Sequence, residues 1–244
     1  MKNNNPDEAI ILCGGKGTRL QTMVRDVPKP LAQVSGRPFL EYIMEQLSDW
    51  GIKHALLSTG HLANKIKAHF GNHYQGIDIT YVHEGSPLGT GGAMALASTF
   101  LYNNTDRKPV IVMNGDSYCQ VDFASASLSH TDSRLPITFV LSEVPDVNRY
   151  GAVELKINGS INTFEEKGKR TGPGLINAGI YIIKPSLLKT IPLGQKLSFE
   201  HDVLPDWIDN GINGFVSNGT FIDIGTPESF SHAQSLFSDK EDND

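Results

Sequence analysis

Between Ala9 and Met113 the chain repeatedly exchanges a short apolar run for a segment whose apolar residues recur every three or four positions. Residues 9–13, 54–58 and 77–83 read as strands, and 110–113 (VIVM) is a continuous apolar run suited to a sheet covered on both faces. Between the first two, Pro38 opens a helix with Leu40, Ile43, Met44 and Leu47 on one face, closed by Trp50 and Gly51. Further helical segments cover roughly 61–70, ending at Gly71, and 91–101. Alternation of this kind packs through right-handed βαβ units, so the expected fold class is α/β with a doubly wound, mostly parallel sheet.

The second half changes character. Residues 137–142, 151–157, 160–165 and 175–183 read as strands joined by turns, with Asn158-Gly159 as a hairpin signal of the primed-turn type. A helix is expected over 198–209, strands over 213–217 and 220–224 around Asn218-Gly219, and a last helix over 227–237 opened by Pro227. No linker, internal repeat or low-complexity segment divides the chain. The expected organisation is one domain over 1–237, with a larger lobe over about 8–135 and a smaller β-rich lobe over about 136–225. The acidic tail 238–244 reads as a solvated end.

Immediately after the first strand comes Leu12-Cys13-Gly14-Gly15-Lys16-Gly17-Thr18-Arg19-Leu20. Three glycines with a lysine and an arginine suit a loop whose backbone N–H groups approach phosphate closely, although a tight strand-to-helix turn would look the same. The loop has no Gly-Lys-Ser/Thr for a Walker phosphate loop, and Arg19-Leu20 stands where a dinucleotide fingerprint needs its third glycine. Ten residues past Arg19 lies Pro28-Lys29-Pro30-Leu31, in which two prolines fix the backbone around one lysine. The formal net charge is −6 with no basic run, which argues against a nucleic-acid surface. An acidic chain that handles polyphosphate must place its few cations locally and borrow a divalent metal.

These two motifs together resemble the signature of the nucleotide-sugar pyrophosphorylases, a Gly-rich GGxGTRL loop followed closely by PKP(L/M), and the resemblance covers nearly the whole chain. It implies a Rossmann-like nucleotidyltransferase fold of the GT-A-like kind, in which the larger lobe binds the nucleotide and the smaller one the sugar. It also implies the activity: transfer of a nucleotidyl group from a nucleoside triphosphate to a sugar 1-phosphate, with release of pyrophosphate. Arg19 and Lys29 would be the catalytic cations, Arg19 at the β/γ phosphates and Lys29 at the α-phosphate. Leu12, Gly14, Gly15, Gly17 and Thr18 would contact the nucleotide.

The other landmarks each have a chemical rationale. Gly89 and Thr90, in Leu88-Gly89-Thr90-Gly91-Gly92-Ala93, match a segment that lines base and ribose in such enzymes, although glycines there also suit close packing. Asn114-Gly115-Asp116 follows the buried strand and places Asp116 where open α/β sheets collect ligands, although an aspartate there could also merely cap the next helix. Asp223 sits in an otherwise apolar strand, where a carboxylate needs a partner: an interior ion pair or a metal. The resemblance makes Asp116 and Asp223 ligands of Mg²⁺, hard oxygen for a hard ion. On the sugar side, Phe164-Glu165-Glu166-Lys167 resembles the family's Phe-x-Glu-Lys. Lys167 would hold the sugar phosphate and Glu166 the sugar hydroxyls; Gly168 replaces the usual proline. Asn177 would face the sugar, and Gly151 would contribute backbone.

The run of motifs looks most like small guanylyltransferases acting on D-glycero-α-D-manno-heptose 1-phosphate, which supply surface polysaccharide; mannose-1-phosphate guanylyltransferases and small uridylyltransferases are the near alternatives. GTP is favoured by Glu84, at the family's base-reading position. A carboxylate only accepts hydrogen bonds, matching the two adjacent donors of guanine; the bland alternative is a solvated loop residue. A non-catalytic regulatory relative would be expected to lose Arg19, Lys29 or an aspartate, and all are present. Cys13 and Cys119 form no disulfide framework, and no signal peptide or membrane-length apolar stretch is present, so a cytoplasmic protein without membrane contact is expected. The sequence leaves the oligomeric state open, a homo-oligomer included.

Overall fold

The computed structural model describes residues 5–15, 26–102, 105–165 and 167–241, with side chains described through residue 238. The chain begins with strand β1 (Glu8–Leu12), then two-residue strands β2 (Gln33–Val34) and β3 (Arg37–Pro38), helix α1 (Phe39–Asp49) and strand β4 (His54–Thr59). Helix α2 (Ala63–Phe70), β5 (His73–Tyr74), β6 (Ile77–His83), α3 (Gly89–Ser98) and β7 (Val110–Asn114) complete the first half. Then come β8 (Ser117–Cys119), α4 (Phe123–Ser133), β9 (Ile137–Val144), β10 (Val153–Leu155), β11 (Ile161–Phe164) and β12 (Gly174–Ile183). Helices α5 (Pro185–Leu188) and α6 (Leu204–Ile208), strands β13 (Asn213–Ser217) and β14 (Phe221–Asp223), and α7 (Pro227–Glu241) end the chain.

The main sheet runs β11-β10-β12-β7-β1-β4-β6-β5, with β9 pairing both β12 and β13. Its centre, β7-β1-β4-β6, is parallel, and the expected doubly wound sheet is present there. Strand β12 joins antiparallel to β7 and so grafts the second half onto the first. Burial on both faces explains the apolar runs. On one face Ala9 and Ile11 pack with α1, α2 and α7 residues such as Leu40, Ile66 and Phe237. On the other, Ile10, Val110 and Val112 pack with Met94, Leu188 and Trp207 of α3, α5 and α6.

Local outcomes differ from the sequence reading at three of the expected features. The Asn158-Gly159 turn is not of the primed type, because only Gly159 has positive φ (+80°). Gly159 N–H closes the turn on Lys156 O at 2.9 Å, and Asn158 Oδ1 accepts from Ser160 N–H at 3.1 Å, so the side chain stabilises the turn from the right-handed region. The expected helix over 198–209 begins as a wider π turn (Phe199–Val203) before α6. Pro205 has no N–H and its ring crowds the carbonyl four residues back, which opens that turn. Helix α7 continues to Glu241, into the tail, with Ser238 Oγ held by Gln234 O at 2.7 Å.

Beneath the second half lies a buried polar knot. His130 of α4 meets Thr138 Oγ1 at 2.9 Å, and Asn213 Nδ2 donates to the same oxygen at 3.2 Å. Burial, then the nearby Lys184 ammonium, lowers the His130 pKa from 6.5 to about 4. Unfolding therefore takes up a proton between those values. The stability that neutral His130 contributes is complete above about pH 6.5 and is lost as pH falls towards 4, costing about 2 kcal/mol by pH 5. Urea unfolding at pH 7 and pH 5 is expected to show this loss in the wild type and a flatter response in His130→Gln; parallel responses would contradict it.

Candidate active site

The C-terminal ends of β1, β4, β6 and β7 lie along one edge of the sheet, and Leu12, Gly14, Gly15, Glu84, Asn114, Gly115 and Asp116 lie at or just past those ends. Gly115 N–H donates to Leu12 O at 3.0 Å, tying the end of β7 to the start of the glycine loop. Gly14 is half-buried and Gly15 exposed. Glu84, just past β6, is not the solvated residue of the bland alternative: it is 9% exposed. Its Oε1 accepts from Ser58 Oγ at 3.2 Å and its Oε2 from Leu88 N–H at 2.9 Å. A Cβ on Gly14 would stand 2.5 Å from Glu84 Oε1, so the carboxylate lies directly against the loop backbone. Gly17, Thr18, Arg19 and Glu166 lie outside the described residues.

A cavity of about 730 Å³ opens beside this edge, lined among others by Lys29, Asn114, Asp116, Lys167, Asn177 and Asp223. These six residues come from both halves of the chain. Strand pairing sets the two aspartates side by side: Asp223 on β14 is opposite Ser117 on β8, and Ile224 N–H donates to Asp116 O at 3.0 Å. Each carboxylate has a cationic partner. Lys29 Nζ meets Asp116 Oδ2 at 2.5 Å, while Arg149 Nη2 lies 3.2 Å from Asp223 Oδ2. Lys29 Nζ and Asp223 Oδ1 both lie within 4 Å of where a Cβ on Gly225 would stand, so both groups border that glycine. Lys29 does not stand out in solvent as a turn lysine commonly does. Its side chain is 14% exposed, drawn inward by Asp116 from a 3-10 turn between the buried prolines 28 and 30.

Asp223 is tightly held. Tyr150 Oη donates to Oδ2 at 2.5 Å, Gly225 N–H to Oδ1 at 2.6 Å, and Ser229 Oγ to Oδ1 at 3.2 Å. Burial, and next the hydrogen bond to Asp223, raises the Tyr150 pKa, so the phenol remains a donor. Among the described residues no group of three or more His, Cys, Asp or Glu is placed to hold a metal. The two aspartates alone offer hard oxygen, with the Lys29 ammonium paired to Asp116, a donor set that fits a divalent cation completed by ligand oxygens.

On the far wall, Asn177 Nδ2 donates to Tyr181 Oη at 2.7 Å and its Oδ1 accepts from Gly179 N–H at 3.0 Å, inside a β12 irregularity. Gly179 has φ +77°, and a Cβ there would stand 2.4 Å from Asn114 Nδ2, so this glycine lets Asn114 enter the cavity wall. Lys167 is exposed, and the adjacent Gly168 N–H donates to Asn148 O at 2.9 Å. Gly151, with φ +85°, lies against the backbone of Glu165 and Lys167: a Cβ on it would meet Glu165 O at 2.5 Å.

Gly89 and Thr90 do not line this cavity. A Cβ on Gly89 would stand 2.4 Å from Leu197 O, and Thr90 Oγ1 accepts from Phe199 N–H at 2.8 Å, so both pack the 197–199 segment onto α3. The lining residues that were not singled out from sequence include the side chains of Arg149 and Tyr150, and Glu200 on the π turn. Arg149-Tyr150 precedes a motif glycine, and an arginine beside a tyrosine was the available signal; nothing in the sequence pointed to Asp223 as their partner.

The D-glycero-α-D-manno-heptose 1-phosphate guanylyltransferase of Aneurinibacillus thermoaerophilus is 38% identical over 93% of this chain and 96% of its own. That of Campylobacter jejuni is 36% identical over 92% and 97%. The crystal structure of HddC from Yersinia pseudotuberculosis complexed with GMP-PN superposes with a TM-score of 0.82 at 36% identity, covering 94% of this chain and 99% of that one. The nucleotidyl transferase family model matches residues 8–240, and the chain therefore belongs to the nucleotidyl transferase family.

Proposed function

We propose that the chain is a sugar-1-phosphate guanylyltransferase that joins GTP to D-glycero-α-D-manno-heptose 1-phosphate, forming GDP-heptose and pyrophosphate for bacterial surface polysaccharide. The observation that supports it best is the convergence, in one cavity, of Asp116 and Asp223, the Lys29 ammonium paired with Asp116, and Lys167. A phosphate oxygen of the sugar attacks the α-phosphorus of GTP in line, the bond to the β-phosphate oxygen breaks, and pyrophosphate leaves. The nucleophile is ionised at neutral pH, so no general base is required. Both reactants are anions, and catalysis consists of positioning and charge neutralisation. Lys29 serves the α-phosphate, Arg19 the departing pyrophosphate and Lys167 the sugar phosphate; Glu166, Asn177 and the Gly151 backbone address the sugar. Leu12, Gly14, Gly15, Gly17, Thr18, Gly89, Thr90, Asn114 and Gly115 form the nucleotide side. Mg²⁺ on Asp116 and Asp223 supplies charge neutralisation between the two anions when bound.

Glu84 reads the base in this account. Each of its oxygens accepts one bond from within the protein and keeps a second lone pair for the N1–H and 2-amino donors of guanine. The test is kcat/KM for the four common NTPs with wild type and Glu84→Gln. GTP is expected to be preferred, and the variant to lose about tenfold or more on GTP while narrowing the gap to UTP. A wild type that prefers UTP or CTP would contradict the guanine assignment.

A further inference from the structure

The site contains a cation that the reaction as written does not use. Arg149 lies at the end of a short 3-10 turn (Val147–Arg149) on the cavity wall, its side chain 42% exposed. Only Nη2 is engaged, at 3.2 Å from each Asp223 oxygen and 3.4 Å from Ser229 Oγ. Among the described residues its Nε and Nη1 make no hydrogen bond, so most of its five donors are unspent beside a polar cavity. The guanidinium carbon lies 5.1 Å from the centroid of the Tyr150 ring, a stacking contact about which the group can turn.

The two partners are held unequally. Asp223 keeps its place without Arg149, through the bonds from Tyr150 Oη at 2.5 Å and Gly225 N–H at 2.6 Å. Arg149 is attached by longer, partly exposed contacts of the kind that contribute little. A guanidinium binds phosphate bidentately and far better than it binds one edge of an occupied carboxylate. Its neighbour in the turn, Asn148, accepts from Gly168 N–H at 2.9 Å, so Arg149 and Lys167 ride on hydrogen-bonded segments facing one space.

Resting on the transferase reading, we propose that Arg149 is a substrate-binding residue that exchanges partners. It leaves Asp223 to grip, with Lys167, the phosphate of the sugar 1-phosphate, and its departure frees Asp223 for a divalent cation. Sugar phosphate and cation then bind cooperatively, because the first removes the competitor of the second, and linkage makes the coupling reciprocal.

The test measures binding, without turnover. Mn²⁺ is titrated by electron paramagnetic resonance into wild type, Arg149→Ala and Arg149→Lys, with and without D-glycero-α-D-manno-heptose 1-phosphate. Affinity for the sugar phosphate alone is measured by calorimetry. In the wild type the sugar phosphate is expected to tighten Mn²⁺ binding about tenfold. Arg149→Ala should bind Mn²⁺ near the tightened level from the start, gain nothing from the sugar phosphate, and bind the latter about tenfold or more weakly. Arg149→Lys should fall between the two. An Arg149→Ala protein that keeps the wild-type coupling, or the wild-type sugar-phosphate affinity, overturns the proposal. A wild type that binds neither sugar phosphate nor Mn²⁺ contradicts the transferase reading itself, a separate failure that withdraws this inference with it.

Discussion

Asp223→Asn is expected to stay folded and to lose about a thousandfold or more in kcat, with Asp116→Asn close behind. Removing a carboxylate from a metal-assisted phosphoryl site forfeits several kcal/mol of charge stabilisation, at about 1.4 kcal/mol per tenfold in rate. The fold tolerates the change at 223, because an amide oxygen can still accept from Gly225 N–H and Ser229 Oγ, and the Tyr150 hydroxyl can turn to accept from the new amide. At 116 the consequence differs. The Lys29 ammonium, 14% exposed, keeps a neutral acceptor at best but loses the charge that balances it, so Asp116→Asn should also lower Tm where Asp223→Asn does not. Steady-state pyrophosphate release and thermal melts of both variants separate the two effects. Full turnover of the wild type in excess chelator would contradict the metal assignment.

The second large effect is Lys29→Ala, expected to lower kcat by about a hundredfold or more, the scale of removing one group that stabilises transition-state charge. Its structural cost is small for an asymmetric reason. The partner left behind, Asp116, is 42% exposed and is resolvated by water, and the turn is set by Pro28 and Pro30. A loss of about 1 kcal/mol or less in urea unfolding is expected. A variant with unchanged kcat and only a raised KM would show that Lys29 binds without stabilising the transition state.

The sequence made the parallel core legible because both faces of β1, β4 and β7 are buried, leaving continuous apolar runs between helices of clear period. It did not reveal α4, whose FASASLSHTDS has no apolar stripe; Asp122 caps that helix by accepting from Ser125 N–H at 3.1 Å, and its burial comes from tertiary packing. The aspartates could be picked out as carboxylates at strand ends. Their partners could not, because Lys29 reaches Asp116 across 87 residues and Tyr150 reaches Asp223 across 73. Gly89 shows the opposite case. The segment matched a nucleotide-lining motif, yet the close approach it permits is to Leu197 of the same chain, and a glycine pattern alone does not distinguish a ligand from a neighbouring backbone. The inward turn of Lys29 was hidden for the same reason as the ion pairs. Proline spacing fixes the backbone of the turn but not the side-chain direction.

The most direct measurement supplies the purified chain with GTP, D-glycero-α-D-manno-heptose 1-phosphate and Mg²⁺ and resolves the products by anion exchange and mass spectrometry. The account predicts GDP-heptose and pyrophosphate in equal amounts, and the reverse reaction when both are supplied together. Folded protein that forms no nucleotide-sugar from any of the four NTPs, or that releases GDP and phosphate instead of pyrophosphate, would contradict it.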